Sequence, residues 1–299
     1  MNDDKFLRHY LLATDKRVAK KDVSKNILDQ FESKNISPIQ LLENLCDYSY
    51  YYWILASPSI EFKNHKTILS KLNSLIILES EIVYPALMVG YEKLWDSNEK
   101  EFEELVDLLL KFFFRARTIC NKAPNSLERV IVEICKKLSN DESLKQIKHH
   151  VRNSLQYPSP HEFISFFDSF SPKHDVALYT LQEINIHDQN LESSPATQID
   201  YVMPRKLSDA WKQYVKSENN LDIDLIQKFH GDNINKIGNI ALLDKNIKTS
   251  DTFENKKLAY RNSNIDATKN ISKYKIWKGD SIVQRQKSLG NTAEKIWNI

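Results

Sequence analysis

Eight stretches within the first 155 residues carry apolar side chains near i, i+3, i+4 and i+7: LRHYLLA, NILDQFES, PIQLLENLCDYSYYYWILA, HKTILSKLNSLIILES, YPALMVGYEKLW, EKEFEELVDLLLKFFFRARTI, SLERVIVEICKKLS and SLKQIKHHVRNSL. That spacing winds each apolar set onto one face of an α-helix, and such a face must be buried against another. Start signals agree with the periodicity. Pro38 follows Ser37 where a first helical turn tolerates proline, and Asn98 precedes Glu101 at capping-box spacing. The first 155 residues are therefore expected to form a domain of seven or eight antiparallel helices. No internal repeat of fixed period is present, which argues against a solenoid.

The rest of the chain has a different texture. All nine prolines lie at or before Pro204, four of the five glycines lie after residue 230, and all three cysteines lie before residue 136. The stretch from about 155 to 195 holds YPSPHEF, FSPKHD and ESSPAT, which read as turns and loops. It separates a helical domain, 1–155, from a second domain, 156–299. Five glycines leave little material for nucleotide-binding loops. Cys46, Cys120 and Cys135 form no CxxC pair, so a cysteine zinc site is not expected and reduced thiols are. The longest apolar runs are far short of the roughly 18 residues a membrane span requires. The N-terminus lacks the basic-then-apolar order of a signal peptide. Together these features predict a cytoplasmic protein.

Charge divides the chain as well. Residues 195–299 carry 18 Lys and Arg against 12 Asp and Glu, and within 245–299 the ratio is 12 to 5. A basic segment of this kind suits a polyanion, and equally a solvated lysine-rich face. In the acidic first part, Tyr48, Tyr50, Tyr51, Tyr52 and Trp53 read either as a base-stacking platform or, more simply, as rings partly buried by an amphipathic helix.

Three stretches of the second part carry chemistry. Ala196–Pro204 alternates like a strand and is stopped by proline; Ile237–Leu243 is a glycine turn followed by an apolar strand; Asn246 precedes Thr252–Tyr260, which has helical spacing. Strand, long loop, strand, helix is a ββα unit. On their own Asp200 suits a cap or an ion pair, Asn239 a turn and Asn246 a helix N-cap.

Taken together, these residues resemble the C-terminal HNH-nuclease region of GmrSD-type, modification-dependent (type IV) restriction endonucleases. The resemblance rests on Asp200-Tyr201-Val202-Met203-Pro204, Trp211, Gly238-Asn239-Ile240-Ala241-Leu242-Leu243, Asn246, Phe253 with Lys256 and Lys257, Tyr260, Trp277, Arg285 and Trp297. It extends more weakly back to Phe6–Leu11 and Asp175–Leu181. It implies a mainly α protein in which a helical bundle precedes an α+β, HNH-like ββα-metal domain. It implies metal-assisted phosphodiester hydrolysis of DNA in restriction or anti-phage defence, with Mg²⁺ or Mn²⁺ as cofactor.

Carried over by position, the resemblance makes Asp200 a metal ligand and Asn246 the helix-side ligand, with Asn255 the alternative. Asn239 orients the base position. Lys245, Lys248, Lys256, Lys257, Arg261, Lys278 and Arg285 are the expected DNA contacts. Two departures matter. The family's nucleotide-binding sensor domain is absent, which makes a sensor partner an expectation and the chain a subunit, a split protein or a fragment. The expected general-base His is Tyr201, a phenol whose ordinary pKa near 10 leaves about 0.1% ionised at neutral pH. His230 is the one nearby surrogate. Two functions follow: a weakened endonuclease, or an inactive HNH scaffold that binds DNA and assembles with a nuclease or sensor partner.

Overall fold

In the computed structural model the chain divides into two compact units, residues 1–158 with 299 and residues 159–298. The structure describes residues 3–14, 22–33, 37–249 and 252–299. Mainly helical architecture holds throughout: fifteen α-helices and one two-stranded sheet lie among the described residues.

In the first unit every stretch with helical spacing forms a helix. These are α1 (Asp3–Thr14), α2 (Val23–Ser33), α3 (Pro38–Ala56), α4 (Lys66–Ile77), α5 (Tyr84–Leu94), α6 (Glu99–Phe113), α7 (Pro124–Ser139) and α8 (Leu144–Asn153). The expected caps are present. Ser37 and Gln40 form a reciprocal capping box ahead of Pro38, and the Asn98 side chain accepts from the Glu101 amide. Helix α5 is buried from Tyr84 to Tyr91 and packs against α1, α3, α6 and α7, so it is the axis of this unit. The aromatic cluster divides as an amphipathic helix requires: Tyr48 and Tyr52 are buried, whereas Tyr50 and Trp53 face solvent.

Among the polar groups buried in this unit, His9 faces aromatic rings. His9 on α1 is buried, its ring centroid 5.7 Å from that of Tyr52 and 6.3 Å from that of Tyr84, and its Nδ1 has no hydrogen-bond partner. Burial above all, with Lys5 and Arg8 adding repulsion, pushes its pKa down to about 3.

The second unit is built from α9 (Pro160–Phe167), α10 (His174–Gln189), β1 (Thr197–Tyr201), α11 (Asp209–Asn219), α12 (Ile226–Asn233), β2 (Ile240–Asp244), α13 (Phe253–Arg261), α14 (Asp266–Ile271) and α15 (Gly279–Ile296). The strands are antiparallel, with Thr197 opposite Asp244 and Tyr201 opposite Ile240. The segment between them is not the loop expected from sequence, because α11 and α12 fill it. Their Trp211, Val215 and Ile226 join Val202, Met203, Ala241, Leu243, Phe253, Tyr260, Trp277 and Ile282 in one core. Thr252, rather than Asn246, caps α13 by accepting from the Asn255 amide. No helix among the described residues is long and apolar enough to cross a membrane.

The pH dependence of the first unit follows from His9. Its folded pKa lies below the unfolded value of about 6.5, so the unfolded chain binds the extra proton as pH falls. The stability of neutral burial is complete above about pH 6.5 and is lost progressively on acidification toward the folded value. Melting temperatures of wild type should fall more steeply between about pH 7 and about pH 5 than those of His9→Gln. Equal slopes would remove His9 from the acid response.

Candidate active site

The candidate site begins at the Gly238–Asn239 turn. Asn239 is fully buried and uses its whole amide: Nδ2 donates to the carbonyls of Met203 (3.0 Å) and Ile234 (3.1 Å), and Oδ1 accepts from the Met203 amide (2.9 Å) and Trp277 Nε1 (3.1 Å). It therefore fixes the backbone just beyond Tyr201, at Met203.

The turn is itself held from α15. Arg285 Nη1 donates to the carbonyls of Ile237 (3.0 Å), Gly238 (2.9 Å) and Ile240 (2.7 Å). Gln286 Oε1 accepts from the Gly238 amide (2.8 Å), while its Nε2 donates to the carbonyls of Phe167 and Phe170. This close approach requires glycine: a Cβ on Gly238 would collide with the Ile282 carbonyl and lie 3.0 Å from Gln286.

At the exit of β1, Asp200 meets α13. Lys256 Nζ lies 3.0 Å from each Asp200 oxygen and 2.6 Å from the Tyr201 carbonyl, and Thr249 Oγ1 donates to Asp200 at 3.1 Å. The Tyr260 hydroxyl donates to the same carboxylate. Burial, reinforced by the negative charge of Asp200, raises the Tyr260 pKa well above its ordinary value, so it remains a donor. Lys256 and Tyr260 are four residues apart on one helix face, which lets both reach Asp200.

The other expected site residues are more scattered. Tyr201 is half-buried, and the Arg205 guanidinium lies over its ring at 5.5 Å. His230 Nε2 donates to the Pro204 carbonyl at 2.9 Å, which brings it to the end of the Tyr201–Pro204 segment. Asn246 and Asn255 are exposed, and neither side chain bonds to Asp200.

A divalent cation would want six or more oxygen ligands. The arrangement does not fit one. Asp200 is engaged by an ammonium and two hydroxyls, and among the described residues no group of three His, Cys, Asp or Glu is placed to hold a metal.

Two expected DNA contacts are corrected. Lys256 is only 4% exposed and is spent on Asp200 and Tyr201. Arg285 is 6% exposed and is spent on the turn carbonyls; burial lowers its pKa to about 10, which leaves it charged at neutral pH. Lys257 is largely buried, paired with Glu254 and set 5.3 Å from the Phe253 ring, and Lys278 pairs with Asp280. Lys245, Lys248 and Arg261 are exposed. The sequence reading missed Arg205 and Thr249 as site residues. The i, i+4 spacing of Lys256 and Tyr260 was the one signal that could have put both on Asp200.

Around this geometry, residues 162–292 match the family model described as GmrSD restriction endonucleases, C-terminal domain. Over that stretch, which is less than half of the chain, the sequence is similar to the C-terminal domain of a restriction-endonuclease-type defence family. The match takes in Asp175–Leu181 and does not reach Phe6–Leu11, so the resemblance expected there lies outside it. Comparison with curated proteins gives no match.

Two substitutions test the site's construction. Gly238→Ala should cost about 2–3 kcal/mol through overpacking against α15, read as a lower urea midpoint; an unchanged midpoint would contradict the tight approach. Lys256→Met should cost about 3 kcal/mol by stranding the Asp200 carboxylate. The double variant with Asp200→Asn should recover much of that loss. Additive losses would show that the pair is not coupled.

Proposed function

We propose that the second unit is an HNH-lineage scaffold that binds DNA through its backbone and does not cut it efficiently. The carrying observation is Lys256, whose ammonium lies between both oxygens of Asp200 and the Tyr201 carbonyl. A lysine there satisfies the carboxylate in place of a divalent ion. The order of two antiparallel strands followed by α13 supports the HNH-like reading. Tyr201 supports the loss of cleavage, because it stands where the resemblance expects a His and general-base help is worth roughly 10²–10⁴ in rate.

Exposed Arg205, Lys206, Lys245, Lys248 and Arg261 supply the cationic surface for phosphates. Three unbridged cysteines suit the cytoplasm, where such a protein meets DNA. A nucleotide-binding sensor is the partner this reading assigns, by analogy with the family.

The second reading is a weakened endonuclease using Mg²⁺ or Mn²⁺, and the family match favours it. In that reading Asp200 and Asn246, or Asn255, hold the ion only after Lys256 withdraws. Tyr201 or His230 would have to serve as base.

Nicking of supercoiled plasmid in Mg²⁺ or Mn²⁺ separates the two. Wild type should leave the plasmid intact while retarding it at low salt. Nicking by wild type that Asp200→Ala abolishes would establish the endonuclease instead. Charge reversal at Lys245 and Lys248 should reduce the slope of log affinity against log salt by about one for each phosphate no longer neutralised. An unchanged slope would move the DNA surface elsewhere.

A further inference from the structure

We propose that the outward face of α3 is a docking site for an amphipathic helix of a separate protein, one whose apolar stripe is flanked by Lys and Arg. Ile39, Leu42, Cys46, Tyr50 and Trp53 are all exposed, Ile39 by 69% and Leu42 by 63%. Their spacings of three, four, four and three residues put them on one side of the helix. The stripe runs for about 21 Å at 1.5 Å per residue. It is opposite in kind to the face α3 buries, where Tyr48, Tyr52 and Leu55 enter the core. Tyr50 and Trp53 touch each other, with ring centroids 6.2 Å apart, and the Tyr50 hydroxyl donates to Glu61 at 2.8 Å, so the rings are held in place.

Charge selects the occupant. From Ser37 to Phe62 there is no Lys or Arg, although the chain has 42; the charges present are Glu43, Asp47 and Glu61. Glu43 and Asp47 are exposed beside the stripe. A nucleic acid would be repelled, which dismisses these rings as a base-stacking platform. A second copy of the same face would set acid against acid and gain no ion pair. An apolar seam bordered by acids on one side fits a helix with complementary basic flanks, as paired helices choose partners.

Cys46 supplies the readout, because it sits mid-stripe and is the exposed cysteine while Cys120 and Cys135 are buried. The probes are two synthetic amphipathic helical peptides of equal apolar content, one with Lys and Arg flanks and one with Glu flanks. The full chain is titrated with each while the reaction of Cys46 with a thiol reagent is followed. The basic peptide should protect Cys46 and bind at least about tenfold tighter than the acidic one. Leu42→Asp should remove that protection with an unchanged melting temperature. Glu43→Lys with Asp47→Lys should invert the preference, and these solvent-facing changes serve even if Leu42→Asp fails to fold. Equal binding of both peptides, binding of neither, or protection of Cys46 by dimerisation without peptide would each overturn the proposal.

Discussion

The second unit depends on one buried amide. Asn239 ties together the backbone after β1, the end of α12 and the indole of Trp277 by four hydrogen bonds. Its own turn is clamped by Arg285 and Gln286 from α15. A two-stranded sheet alone is marginal in water. Here its geometry is imposed by polar groups that are individually costly to bury and become favourable only when all are paired. That all-or-none demand explains why the turn is glycine followed by asparagine. Glycine lets the backbone of α15 approach, and asparagine has both donors and acceptors on one short side chain.

This frame sets what the Asp200 region can do. Next to the strand end held in this way, α13 delivers Lys256 and Tyr260 onto the Asp200 carboxylate. The Lys256 ammonium compensates one negative charge as a compact point charge on a buried stem, whereas a hard divalent ion would demand further oxygen ligands arranged around it. Asn246 and Asn255 are on the surface instead. The Asp200 charge is thereby paired, and Tyr201 beside it is a phenol under a guanidinium rather than an imidazole.

Local features of this fold were legible in the sequence and long-range ones were not. Ser37 and Asn98 announce helix starts because a cap bonds three residues away. The strands at Thr197–Tyr201 and Ile240–Asp244 were readable from alternation and an apolar run. That Asn239 grips Met203 was not, because the partners are 36 residues apart and no periodicity records the pairing. The basic residues misled for a different reason. A charge count treats Lys256 and Arg285 as surface groups, yet each points inward from a helix face whose partner is set by tertiary packing. The long link between the strands was misread because α11 and α12 are short and contribute only a few apolar anchors, Trp211, Val215 and Ile226.

The opposite charges of the two exposed surfaces have a mechanistic consequence. A protein that collects polyanions through lysines and arginines risks having every apolar or aromatic patch on it occupied by the same nucleic acid. On the readings proposed above, acid placed beside an apolar stripe would prevent this: Glu43 and Asp47 would repel phosphate at short range, while exposed Lys245, Lys248 and Arg261 would attract it. Salt screens both effects over about 8 Å at physiological ionic strength, so each acts only on what is nearly in contact. Discrimination between the two proposed partners would then require no moving part. It follows from the sign of the residues flanking each surface, and a helix with basic flanks and a DNA backbone would not compete for the same place on this chain.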